Sequence, residues 1–142
     1  MKRVYCTSIL KQGSTYELEK KYYIHLVKVM RLKVGDHVSL FNNTSGEWKS
    51  EIVDIKNNLL IAKTISLIAP PQPDTSIDLM FSPIKYQNSE SVIRQSTEMG
   101  IRSIFPTIFK RTINTKINLN KFNSYAIGAA QQSERLLSLI HI

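Results

Sequence analysis

The hydrophobic and β-prone residues of Val4–Ile9 predict a short strand. Ser14-Thr15 then reads as a helix cap. Glu17 and Glu19 fall in the first turn, where carboxylates suit the positive end of the dipole. Leu18, Tyr22, His25, Leu26, Val29 and Leu32 recur at three- and four-residue spacings and predict one apolar helix face. Lys20, Lys21, Lys28 and Arg31 lie mostly on the other. After Gly35-Asp36 come three strand candidates, His37–Phe41, Glu47–Ile55 and Leu59–Ile68. Their connections, Asn42–Gly46 and Lys56-Asn57-Asn58, are rich in residues that tolerate positive φ, as hairpin turns require. One helix among short antiparallel strands implies a small β-barrel.

The pattern changes at Ala69-Pro70-Pro71-Gln72-Pro73-Asp74, which can continue neither a ladder nor a helix and favours a stiff linker. Beyond it, Ile77–Phe81 reads as a buried strand and Ser82–Lys85 as a loop at its carboxyl end. Asn88–Met99 reads as a helix stopped by Gly100, Ile104–Ile108 as a second strand, and Asn120–Leu137 as a long helix. This β-α-β-α order implies a parallel sheet. Such sheets hold ligands beyond the carboxyl ends of their strands, where Lys110 and Arg111 stand here. The expected division is a β-rich lobe over 1–69, a linker over 70–74 and an α/β lobe over 75–142.

Composition narrows the partners. The 142 residues carry a net charge of +8, shared between the halves: 11 Lys/Arg against 6 Asp/Glu in 1–69, and 8 against 5 in 70–142. Two moderately basic lobes raise the expectation of a polyanionic partner, nucleic acid above all. With one cysteine, Cys6, no internal disulfide and no cysteine-based metal site can form, and Cys6 reads as a buried hydrophobe. No run is long enough for a membrane span, and no apolar signal region follows Lys2-Arg3, so a cytoplasmic protein is expected. Metal-ligand spacings, a Walker loop and a dinucleotide fingerprint are all absent. His25, Tyr23 and Trp48 read as packed residues before they read as base or stacking partners.

Three ordered segments carry a resemblance. His25-Leu26-Val27-Lys28-Val29-Met30-Arg31-Leu32-Lys33-Val34-Gly35-Asp36 comes first. Gln95-Ser96-Thr97-Glu98-Met99-Gly100-Ile101 follows, with Ile104-Phe105-Pro106 and Lys110-Arg111 behind it. Ala129-Ala130-Gln131-Gln132-Ser133-Glu134-Arg135 is the third. Together they resemble the RsmE family of ribosomal RNA methyltransferases.

The resemblance implies a two-lobed α+β and α/β chain: a PUA-like β-barrel that binds RNA, then a SPOUT-type α/β domain. It implies transfer of a methyl group from S-adenosylmethionine to N3 of a uridine in 16S ribosomal RNA, in a protein that forms homodimers. Matched position by position, Arg111, Gln132 and Arg135 become the candidate catalytic residues. Lys85 takes a basic position in the first loop, although Asn88 stands where the family has a lysine. Lys28, Arg31 and Lys110 join Lys85 as candidate RNA contacts.

The family's glycine-rich cofactor loop and its later knot segment have no counterpart among the 142 residues, so no cofactor-binding residue is assigned. The expectation is a truncated SPOUT domain of two strands, with the knot missing and no strand after the final helix, inactive by itself. The alternative is a non-catalytic RNA-binding fragment or a pseudogene product.

Overall fold

The computed structural model of the chain describes residues 1–72, 76–113, 116–135 and 139–140. It divides into two compact units, Met1–Gln72 and Pro73–Ile142.

In the first unit the strands are β1 (Lys2–Tyr5), β2 (Thr15–Leu18), β3 (His37–Asn42), β4 (Gly46–Lys56) and β5 (Leu59–Ala69). They form one sheet in the order β1-β3-β4-β5-β2, parallel only between β1 and β3. In hydrogen bonding it is an open sheet, with β1 and β2 at its ends. Three register shifts along β4 curl it, since each bulge bends the strand that carries it. Val4, Leu18, Val38, Leu40, Ile52 and Leu60 fill the concave side together with Tyr22 and Leu26.

The segment expected as one helix from Ser14 divides. Thr15–Leu18 pairs with Lys63–Leu60 as β2, and only Lys20–Tyr23 forms a helix, α1. It runs into a π-helix over Ile24–Val29 that ends at Arg31, held at φ 60°. Leu18, Tyr22 and Leu26 do enter one core, but the first does so from a strand. His25 and Val29 are exposed, contrary to the expected face, because the wider π-turn shifts the periodicity beyond Leu26.

The turns follow their residues. Asn57 and Asn58 both take positive φ, as a two-residue hairpin turn demands. In the β3–β4 turn the Asn42 side-chain oxygen Oδ1 accepts from the Thr44 and Ser45 amides, while its NH2 group donates to the Cys6 and Ser8 carbonyls. On the other side of the sheet Arg3 donates to Glu47 at 3.0 Å and lies 4.1 Å over the Phe41 ring. Tyr5 meets that ring edge-on, and burial raises its phenol above the usual pKa.

In the second unit β6 (Asp78–Phe81), β7 (Ser103–Pro106) and β8 (Leu139–Ile140) form a parallel sheet in that order. The third strand corrects the expectation of two: two residues pairing with Ser103 and Ile104 are too few for any periodicity to reveal. Helices α2 (Tyr86–Glu98) and α3 (Leu119–Ser133) pack against each other over Leu79, Phe81 and Ile104. The second strand stops at Pro106, short of Ile108.

Helix α2 ends as its glycine requires. Gly100 has φ 80°, its amide donates to Thr97 O, and the Ile101 amide reaches back to Ser96 O. This is the paired C-terminal pattern that a left-handed residue permits. Helix α3 ends at Ser133, before the expected Leu137, because Glu134 turns left-handed; residues 136–138 lie outside the described set. No helix of the described residues is long and apolar enough to cross a membrane, and none of their His, Cys, Asp and Glu side chains cluster for a metal.

Candidate nucleic-acid interface

In a β-α-β unit the helix runs back against its strands, so α2 begins at the carboxyl edge of the sheet and finishes at the amino edge. Lys85 is the residue before α2, in the loop leaving β6; Lys110 and Arg111 lie in the turn after β7. The topology thus brings Lys85 and Arg111 to one edge. There they line a cleft of about 650 Å³ with Ser82, Pro83, Ile84, Asn88, Thr112 and Ile113.

Its walls are tied together. The Ser82 and Thr112 hydroxyls share a hydrogen bond of 2.8 Å across the two loops. Thr112 Oγ1 also accepts from the Phe109 amide, and the Thr112 amide donates to Phe109 O. On the first loop the buried Ser89 hydroxyl accepts from the Ile84 amide and donates to its carbonyl oxygen, both at 3.1 Å.

The opposite edge differs in its electrostatics. Arg102 is clamped to Asp78 through two hydrogen bonds of 2.9 and 2.5 Å. Arg135 donates from Nε to the Glu98 carbonyl oxygen at 3.1 Å, and a Cβ built on Gly100 would stand 3.2 Å from its guanidinium. Arg135 therefore closes the carboxyl end of α2, where a cation offsets the dipole. Lys85, Lys110 and Arg111 take part in none of the ion pairs found among the described residues.

The three candidate catalytic residues are accordingly not assembled within one second unit. Arg111 sits with Lys85 at the carboxyl edge. Arg135 meets Glu98 at the far end of α2, about 20 Å along the helix from Lys85. Gln132 is exposed near the end of α3, at the same edge as Arg135. Nor do Gln132 and Arg135 share a helix face, since Glu134 ends α3 between them.

In the first unit Lys28 and Arg31 are both exposed, and the Lys28 ammonium lies 5.8 Å from the Tyr23 ring centre. Tyr23 is buried. Trp48 is half-buried, with its ring N–H donating to Ser45 O. The residues missed from sequence are Ser82 and Thr112, whose pairing spans thirty positions and leaves no local signal.

If Arg135 caps α2 in this way, Arg135→Gln should cost the second unit about 1 kcal/mol. Arg111→Gln, on an exposed turn, should leave stability within about 0.5 kcal/mol. Urea titrations of the two variants check the contrast; equal effects would remove the cap from the account.

The likeness to known proteins follows the same two-part plan. Residues 23–65 match an RNA methyltransferase PUA domain, and residues 70–139 match an RNA methyltransferase domain. The ribosomal RNA small subunit methyltransferase E of Rickettsia conorii is 34% identical over 135 residues, which span 94% of this chain and 55% of that protein.

Solved structures agree in fold. A putative methyltransferase from Legionella pneumophila in complex with bound SAM aligns with a TM-score of 0.78 and 24% identity, covering 98% of this chain and 61% of that one. A ribosomal RNA small subunit methyltransferase E from Neisseria gonorrhoeae, bound to S-adenosyl methionine, gives 0.82 at 21% identity, covering 100% and 60%. The chain spans about half the length of the curated relatives it matches. With a PUA domain and a methyltransferase domain matched in order, the chain belongs to the RNA methyltransferase family of the ribosomal RNA small subunit methyltransferase E proteins.

Proposed function

We propose that this chain supplies the RNA-recognising part of an S-adenosylmethionine-dependent methyltransferase that acts on N3 of a uridine in 16S ribosomal RNA. The match of both modules, in order, along one chain carries this reading. N3 lies on the base-pairing edge, so the uridine has to be unpaired before it reacts. Its proton must leave, and a nearby cation stabilises the uracil anion that develops. Arg111, in a cleft with no carboxylate among its lining residues, is suited to that task. Lys85 and Lys110 are suited to phosphates on either side, and Lys28 and Arg31 to more distant RNA.

Gln132 and Arg135 could join Arg111 on one base only from a second copy. The homodimer implied by the resemblance stands as part of this proposal, to be tested by sedimentation. The described residues do not fit the cofactor. Gly13, Gly35, Gly46 and Gly100 occupy positive-φ turns and Gly128 faces Arg94 within α3, so none lines the cleft. The cleft's cations also oppose a sulfonium.

The test is filter binding of a 16S ribosomal RNA fragment, with calorimetric titration of S-adenosylmethionine on the same chain. Affinity for RNA should fall steeply with salt, because each neutralised phosphate releases counterions. Lys28→Glu with Arg31→Glu should weaken it further. No saturable cofactor binding is expected at micromolar ligand. Absence of RNA binding at low salt would contradict the proposal, and saturable cofactor binding would contradict the misfit between the described residues and the cofactor.

A further inference from the structure

We infer that Thr112 is a positioning residue. Paired with Ser82, it fixes the turn whose two central residues are Lys110 and Arg111, and so sets where those cations stand. This rests on the reading above that the cations of this edge meet ribosomal RNA, and it adds the residues that act through them.

The turn itself is exposed from Phe109 to Arg111, and neither cation enters an ion pair among the described residues. Thr112 closes it twice. Its amide donates to Phe109 O at 3.0 Å, the bond from the fourth residue to the first that defines a β-turn. Its Oγ1 accepts from the Phe109 amide at 2.8 Å. Lys110 and Arg111 are thereby the corner residues of a loop pinned at both ends by one side chain and its own backbone.

A closed turn could still swing as a body, and Ser82 opposes that. Its hydroxyl lies 2.8 Å from that of Thr112. Ser82 directly follows Phe81, the last residue of β6, whose carbonyl oxygen accepts from the Thr107 amide at 2.8 Å. The tether therefore starts from the sheet. A hydroxyl has one proton and two lone pairs, so Thr112 Oγ1 serves Phe109 and Ser82 at once. A valine of the same shape serves neither.

The pair is suited to placement more than to stability. Both side chains are half-buried, so water takes over their hydrogen bonds when either is removed, and the net worth of such a bond is small. A loosened turn would have to be ordered each time RNA binds, and that ordering weakens affinity. The phosphates met in the bound state stay the same in number, so the salt dependence should not change.

The test pairs nitrogen-15 relaxation of the 142-residue chain with filter binding of a 16S ribosomal RNA fragment over a salt series. In the parent and in Thr112→Ser, the Lys110 and Arg111 amides should have order parameters of about 0.85; in Thr112→Val these should fall below about 0.6. Thr112→Val and Ser82→Ala should each weaken RNA binding by about three- to tenfold at an unchanged log–log salt slope, and Thr112→Ser should restore it. With Lys110→Gln and Arg111→Gln already in place, Thr112→Val should cost nothing further, because its effect passes through those two side chains. A residue that merely supports the fold would weaken binding in both backgrounds.

Affinity equal to the parent's in Thr112→Val, amides that stay ordered in it, or the same loss without the two cations would each overturn the positioning role while the RNA reading stands. A parent that binds no RNA at low salt would overturn the role together with the reading beneath it.

Discussion

Gly46→Ala is expected to unfold much of the first unit. Gly46 opens β4 at φ 79°, and a Cβ there would stand 2.2 Å from the Ala69 carbonyl oxygen and 2.9 Å from Pro70 C and Pro71 N. All three are backbone atoms at the end of β5, so no side chain can swing aside. The left-handed conformation costs an alanine about 1–2 kcal/mol. Overpacking against fixed neighbours adds roughly 1–3 kcal/mol. Together they approach the whole stability expected of a unit this size, at about 0.05–0.15 kcal/mol per residue.

Gly13→Ala is the control. Gly13 has φ 74°, but nothing lies within 4 Å of its added Cβ, so only the conformational cost applies. Urea midpoints of the two variants separate strain from collision. Equal midpoints would show that the β4 start is free to move away from Ala69.

The second large effect is expected from Ile104→Ala. Ile104 is fully buried at the centre of β7, in a cluster with Ile93, Phe122, Tyr125 and Ala126. Burial, with Glu90 beside it, raises the phenol of Tyr125 in the same cluster above its usual pKa. Removing most of a buried isoleucine costs about 2–5 kcal/mol through lost transfer energy and the cavity left behind. The cluster belongs to the second unit alone, so that unit should melt early while the first keeps its transition. Differential scanning calorimetry should resolve two transitions where the parent shows closer ones. A uniform downward shift of a single transition would mean that the two units unfold as one.

Much of the architecture was legible wherever a backbone conformation demands a residue type. Gly46, Asn57, Asn58 and Gly100 each sit at positive φ, and each marks a turn or helix end that the chain's pattern predicts. The parallel order of β6, α2 and β7 was legible for a related reason, since strand and helix periods differ and the topology of their alternation is restricted. That rule is also why Lys85 and Arg111 could be expected near one another from positions 26 apart in sequence.

Other features depended on partners the sequence does not display locally. Thr15–Leu18 has a helix-compatible spacing, and only its pairing with Lys63–Leu60 makes it a strand. The interval between Gln132 and Arg135 suggests one helix face, but the left-handed Glu134 breaks it. Arg135 then finds the end of α2, a tertiary contact that no periodicity encodes. β8 was invisible because two residues carry no pattern.

This chain is proposed to meet RNA at the carboxyl edge of its second sheet. Photocrosslinking to a 16S ribosomal RNA fragment bearing 4-thiouridine, followed by peptide mapping, tests it most directly. Crosslinks should fall on the peptides that contain Pro83–Asn88 and Phe109–Ile113, and should fade as salt is raised. Crosslinks confined to the amino edge, around Arg102 and Arg135, or absent from the second unit altogether, would contradict it.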